Sequence, residues 1–165
     1  MIISLIISLA VFIFVSLFGY LAHKALHQPW MKMLGESHMT HHLKLYPITD
    51  YMSDIYRSAG KHNTIFFFAA ASVPVLALPI LLWFIGFISL FTMIFIIIEM
   101  LAIGWLHNYI HDAFHINNHL LTKIPVVKNW FAKLAKVHFI HHEDMNFNYG
   151  IFFMIWDKLF KTYKE

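Results

Sequence analysis

Residues 2–22 read IISLIISLAVFIFVSLFGYLA, an unbroken apolar run without a charged side chain. A helix needs about 20 such residues to cross the hydrocarbon core of a bilayer, so this run is a membrane span before it is anything else. Cleavage as a signal peptide is disfavoured: no basic segment precedes it, and His23-Lys24 stand where a small-residue cleavage site would lie. A second apolar block runs from Ile65 to Leu106. It is too long for one crossing and suits two, with a break at PILLWFIG, Pro79 to Gly86. The expected architecture is an all-α integral membrane protein of about three transmembrane helices, at residues 2–22, 64–84 and 86–106. Residues 23–63 and 107–165 then form a His-rich helical cap, and 1–165 is a single domain.

The charges give that architecture a direction. Lys24, Lys32, Lys44, Arg57 and Lys61 lie between the first span and the hairpin, and the remaining basic residues follow it. With three spans all twelve fall on one side, which the positive-inside rule makes cytoplasmic, leaving the N-terminus outside. The pI near 9.1 therefore reflects membrane orientation, and no aromatic-plus-basic motif points to nucleic acid. The absence of Cys excludes disulfides, thiolate-bound zinc and iron–sulfur clusters together.

Thirteen of the 165 residues are His, and they are clustered. The pattern H-x-x-H-H occurs as HMTHH at 38–42 and again as HFIHH at 138–142. Chance at this composition gives roughly 0.1 copies, so the repetition asks for a mechanism. HKALH covers 23–27, and HNYIHDAFHINNH covers 107–119. Residues i, i+3 and i+4 share one helix face, so each cluster aims its imidazoles the same way, and neutral imidazole binds iron and zinc well. The candidate metal ligands are His23, His27, His38, His41, His42, His107, His111, His115, His138, His141 and His142. That set exceeds what one tetrahedral or octahedral ion can use, so the expectation is a dimetal centre. His119 reads equally well as ligand or bystander, and His62, alone beside a turn signal, reads as an ordinary interfacial residue. A ligating His usually passes its other ring N–H to a carboxylate, carbonyl or water. Asp112, Asp54, Glu143 and Asp144 are the carboxylates near the clusters. Glu99 is an ionisable residue inside the third span, which is costly in lipid and marks a functional or helix-pairing position.

The order H-x-x-x-H, H-x-x-H-H, H-x-x-x-H, H-x-x-H-H on a small membrane protein resembles the fatty acid hydroxylase superfamily, which includes sterol desaturases, sterol methyl oxidases and bacterial carotene hydroxylases. NYGIFFMIWDKLFKT, Asn148 to Thr162, is similar to that family's closing N-Y…W-D-x-x-F-G-T, with Lys161 standing where the family usually has Gly. His111-Asp112 and Ile124-Pro125 resemble the carotene hydroxylase branch, which favours His111 and His115 as the ligand pair of the third cluster, with His107 a third member. The resemblance implies membrane helices carrying a cytoplasmic metal cap, with Asn148 near the site. It also implies O2-dependent oxidation of a lipid C–H bond by two iron ions held by histidines, with zinc an alternative occupant because imidazole accepts both. Hydroxylation and desaturation share their first hydrogen abstraction and are not separated by the motif. A fatty acyl chain is the first substrate expected, and a sterol or carotenoid the alternative. The chain has no redox cluster and no G-x-G-x-x-G, so the resemblance requires a separate electron donor of ferredoxin or cytochrome type. The rival reading is a membrane metal-binding or transport protein without oxygenase activity. A transporter, however, would place its ligands near the bilayer midplane, whereas these histidines follow the spans.

Overall fold

The computed structural model describes residues 2–58 and 64–165, and His62 lies outside them. Among the described residues all regular structure is helical, apart from one isolated bridge between Ser53 and Ile116. Helix α1 is Ile2–Leu26, and a 3-10 turn at Pro29–Met31 leads into α2, Lys32–Thr40. The chain then widens into a π-helical turn, His41–Leu45. Helices α3, Thr64–Phe84, and α4, Leu90–Ala113, form a hairpin; α5 is Lys128–Glu143 and α6 is Ile155–Leu159. Pro79 lies within α3 without ending it, as apolar surroundings permit, because a helix is the structure that keeps most backbone groups bonded there. The hairpin turn uses Gly86 at φ +75, and Ser89 caps α4 by accepting from Thr92 N at 3.1 Å.

Among the described residues two helices are long and apolar enough to cross a membrane, Leu5–Leu26 and Leu90–Ala113, where three spans were expected. Only 28% and 11% of their apolar windows are buried in the protein, whereas a core helix of a water-soluble domain would be mostly covered. Around the hairpin turn Phe84, Phe87 and Phe91 are 77–81% exposed. Apolar surface on this scale is matched by acyl chains and not by water.

One core runs from the membrane helices into the cap. Val11 and Val15 of α1 pack with Met100 and Ile103 of α4, and the same cluster continues through Ile110 and Phe114 to Phe131, Leu134 and Val137 of α5. Gly19 sets the α1–α4 approach, since a Cβ there would stand 2.9 Å from His107 Nε2.

The closing motif is a clasp. The carboxylate of Asp157, fully buried, accepts from Tyr149 N and Thr162 Oγ1 on one oxygen and from Gly150 N on the other, at 2.8–2.9 Å. Thr162 Oγ1 lies 2.9 Å from Tyr20 OH of α1, which ties the chain end to the first helix. Asn148, at φ +59, donates from Nδ2 to Val137 O and Lys164 O, and its Oδ1 accepts from Lys164 N. Burial pushes the Asp157 carboxyl up, and the three hydrogen bonds oppose that shift.

Two stability predictions follow from the clasp. Asp157→Asn keeps the volume but turns an NH2 toward a buried donor; it should cost about 2–4 kcal/mol, seen as a lower thermal midpoint of the detergent-solubilised protein. Lys161 sits at φ +58, where a side chain is strained and Gly is not, so Lys161→Gly should stabilise by about 1 kcal/mol. A melting point unchanged or lowered in Lys161→Gly would contradict that strain.

Candidate metal centre

Histidines from all four clusters meet where α1, α2, α4 and α5 end. Two groups form, each with ligand nitrogens within 4.8 Å of one another: His23, His27, His38, His42 and His141 in one, His41, His115, His138 and His142 in the other. The groups adjoin, with the His42 and His142 rings 4.0 Å apart.

Each H-x-x-H-H motif is split between the groups. His38 and His42 enter the first and His41 the second; His138 and His142 enter the second and His141 the first. The expectation of three imidazoles aimed at one place is thereby refined. At about 100° per residue, position i+4 lies about 40° to one side of i and position i+3 about 60° to the other. One face of the helix thus straddles two centres. In the first motif the π-helical turn begins at His41, a local widening of the kind often found at functional positions.

Backbone carbonyls orient the rings. His23 Nδ1 donates to Tyr149 O at 2.8 Å, His141 Nδ1 to Phe147 O at 2.6 Å, His142 Nδ1 to Tyr46 O at 2.8 Å and His115 Nδ1 to Tyr51 O at 2.8 Å. A carbonyl can only accept, so each of these neutral rings carries its proton on Nδ1 and turns the Nε2 lone pair inward. In the first group the Nε2 atoms of His42 and His38, His38 and His27, and His27 and His141 are 3.0, 2.9 and 3.1 Å apart. In the second, His138 Nε2 is 3.1 Å from His115 Nε2 and 3.2 Å from His142 Nε2.

These spacings test whether the residues fit a metal. With bonds of about 2.1 Å, ligands at right angles stand about 3.0 Å apart and tetrahedral ones about 3.4 Å apart. Converging imidazole lone pairs at 2.9–3.2 Å match cis positions around one cation. His23 Nε2, His111 Nε2 and both ring nitrogens of His41 are buried without a hydrogen-bond partner. Buried polar atoms are rarely left so, and a cation would satisfy one nitrogen of each of these rings. The donor set fits.

Electrostatics keep the rings neutral, as ligation requires. Burial holds the pKa values of His38, His41, His42, His115, His138 and His141 well below the ordinary imidazole value, and neighbouring imidazoles push the same way. Burial lowers His27 to about 4, and His142 lies at about 3.

The other expected site residues are spread more widely. His111 lies beside the second group, its ring 4.8 Å from those of His41 and His138 and 6.2 Å from His23 of the first, with Nδ1 3.3 Å from Asp112 Oδ1. His107, one turn earlier on α4, lies in neither group; its ring meets Phe152 edge-on and packs against Gly19. His119 accepts from Leu121 N and stands over Tyr109, outside both groups. Asp54 accepts from Asn117 on the surface, Glu143 accepts from Tyr51 OH, and Asp144 pairs with Lys164. Asn148 acts in the clasp and Glu99 has a buried, unpartnered Oε2 on α4. Of the expected partners, carboxylate, carbonyl or water, only the carboxylates could be named from the sequence, so Tyr46, Tyr51, Phe147 and Tyr149 were missed. They act through main-chain oxygens, which leave no trace in residue type.

A Delta(7)-sterol 5(6)-desaturase from Candida glabrata is 30% identical over 163 residues, which is 98% of this chain and 37% of that protein. The chain thus spans well under half the length of the curated relative it matches. No solved structure matches it. The family model for fatty acid hydroxylase matches residues 8–162, nearly the whole chain and all of the histidine groups. The chain belongs to the fatty acid hydroxylase family, whose members act on lipids in membranes.

Proposed function

We propose that this chain oxidises an unactivated C–H bond of a membrane lipid with O2, at a centre of two iron ions held by histidines. The observation that carries the reading is the pair of convergent all-imidazole groups at the ends of apolar helices. His23, His27, His38, His42 and His141 would hold one ion; His41, His115, His138 and His142, with His111 beside them, would hold the other. Bound iron would supply O2 activation, and zinc would occupy the same ligands without redox chemistry. The chain's own part is to keep the imidazoles neutral, fix their tautomers through the carbonyls of residues 46, 51, 147 and 149, and shield the centre with Tyr46, Tyr149 and Phe114.

Hydroxylation consumes O2, two electrons and two protons and releases one water with the alcohol; desaturation with the same inputs releases two waters with the alkene. The electrons would come from a separate ferredoxin or cytochrome. The topology that goes with this reading has three spans, with α3 as the third, the N-terminus outside and the metal cap cytoplasmic. The basic residues that flank the spans support that orientation. A fatty acyl chain is the first substrate. Similarity to a sterol desaturase favours a second reading, dehydrogenation of a sterol ring.

Metal analysis of the purified full chain tests the centre, followed by oxygen uptake with a chemical reductant and membrane lipid. Two ions per chain and lipid-dependent uptake after iron loading are expected. His27→Ala and His115→Ala should each lose about one ion, while His107→Ala keeps both. Two ions without turnover would favour metal storage, and full occupancy in His27→Ala and His115→Ala would remove those ligands.

The metal-free protein should weaken in acid. Unfolded imidazoles protonate near pH 6.5, whereas in the fold His27 and His142 stay neutral to about 4 and about 3. The unfolded state therefore binds more protons below pH 6.5, so stability is complete above it and falls progressively between about 6.5 and 4. A denaturation midpoint flat across that window would contradict a buried neutral cluster.

A further inference from the structure

The short helix α6 is built inside out for a surface in contact with water. Its inward residue is Asp157, fully buried in the clasp, while Ile155 and Leu159, one turn apart on the opposite side, are 59% and 65% exposed. Phe153 before them and Phe160 after them are exposed too. An amphipathic helix in water turns its apolar side inward and its charge outward. The reversal here calls for apolar surroundings.

The neighbouring helix shows what those surroundings are. Phe12, Ser16 and Tyr20 recur every four residues on α1, and the chain from Phe152 to Phe160 lies along that stripe. The Phe12 ring meets those of Phe152 and Phe153 at 5.6 and 5.5 Å, Trp156 Nε1 donates to Ser16 Oγ at 3.1 Å, and Phe160 stacks on Tyr20 at 5.3 Å. From Tyr20 to Phe12 is about 12 Å along the helix axis. All of it falls within the apolar helix Leu5–Leu26, so the closing segment shares the depth of that span. Polar atoms along the contact are met inside the protein, as apolar surroundings demand: Ser16 Oγ donates to Ile13 O, and Asp157 takes the N–H groups of Tyr149 and Gly150.

Basic side chains border this face. Lys158, over the Tyr163 ring at 4.9 Å, and Lys161 are both exposed. Tyr163 OH donates to Glu165, and with Lys133, Lys158 and Lys136 it holds that carboxyl below its ordinary value. Lysines of α5 and of the closing segment therefore gather around the chain end.

We infer that residues 152–161 make a membrane contact of their own, in which Phe153, Ile155, Leu159 and Phe160 enter the leaflet beside α1 while Lys158 and Lys161 hold anionic lipid headgroups. Long basic side chains span the distance from the acyl boundary to the phosphates. This goes beyond lipid oxidation and rests only on α1 as a span. One segment then serves two ends: Asp157 faces inward to the main chain that orients His23, and its neighbours face outward to lipid.

The chain has no Cys, so a single one can carry a label. A nitrobenzoxadiazole fluorophore is attached to Ile155→Cys or Leu159→Cys in the full chain, reconstituted into vesicles of phosphatidylcholine and phosphatidylglycerol. Ile98→Cys, exposed on α4 within its apolar stretch, is the lipid-facing control, and Asp54→Cys, on the cap surface, the water-facing one. Nitroxide-bearing lipid should quench the labels of Ile155→Cys, Leu159→Cys and Ile98→Cys and leave that of Asp54→Cys bright. At Leu159→Cys, nitroxide-bearing phosphatidylglycerol should associate in preference to phosphatidylcholine by about fivefold for each lysine engaged. Lys158→Gln combined with Lys161→Gln should lower that preference towards unity. Quenching of Ile98→Cys with none of Ile155→Cys or Leu159→Cys would overturn the inference and leave the face to a protein partner, while the span stands. An unquenched Ile98→Cys would sink span and inference together. Equal association of the two lipids would overturn the headgroup assignment.

Discussion

A neutral imidazole has one N–H and one lone pair, and burying a ring means finding a partner for each. Everything in the cap follows from how that requirement is met. Four rings direct the N–H outward to main-chain oxygens, and their lone pairs are left to converge within. Without the carbonyls the rings could take either tautomer, and the inward nitrogens would include donors that repel a cation. Without a cation the inward nitrogens of the first group stand 2.9–3.1 Å apart, and each such contact needs a proton from one of its two rings. The outer bonds and the inner ligands are two halves of one constraint.

Two loops supply those oxygens, and each is anchored differently. The segment after the π-helical turn presents Tyr46 O and Tyr51 O, and it is held by the bridge that links Ser53 to His115 and Asn117. Tyr46 also stacks on His115 at 4.1 Å, so the ring is fixed by its face as well as its edge. The segment after α5 presents Phe147 O and Tyr149 O and is held by Asp157 and Asn148. The closing N-Y…W-D…T residues thus serve the metal centre at one remove: they fix the main chain that fixes the rings. Tyr20 extends the same network into α1 through Thr162, so the membrane helix and the cap are stabilised together.

The sequence made the apolar helices and the histidine clusters legible because both are patterns of residue type. A charge-free run of span length and a repeated H-x-x-H-H carry their meaning in spacing. Helix α4 appears as one continuous element from the hairpin turn through His111, which the apolar block and the i,i+4 histidines jointly required. The division of ligands was not legible. His107, His111 and His115 have the same spacing, yet His107 packs against Gly19 and Phe152 while His111 and His115, one turn on and past the helix end, face the other histidines. The role of Asn148 was equally hidden, since a left-handed Asn that bonds the chain end looks in sequence like any polar residue beside a His cluster. Lys161, which stands where the family usually has Gly, has a positive φ, a conformation that Gly adopts without strain, and this too was not read from the sequence.

The interleaving of the two H-x-x-H-H motifs makes the pair of centres a single mechanical unit. Helices α2 and α5, with the turn that follows α2, each hold one centre by two rings and the other by one, in opposite proportion. Turning α5 about its axis would advance His141 and withdraw His138 and His142 in one motion, so neither histidine group can be adjusted alone. Such crossed attachment works like a keystone: the separation of the two histidine groups is inherited from the helices themselves, and a substitution that shifts one group must be answered at the other.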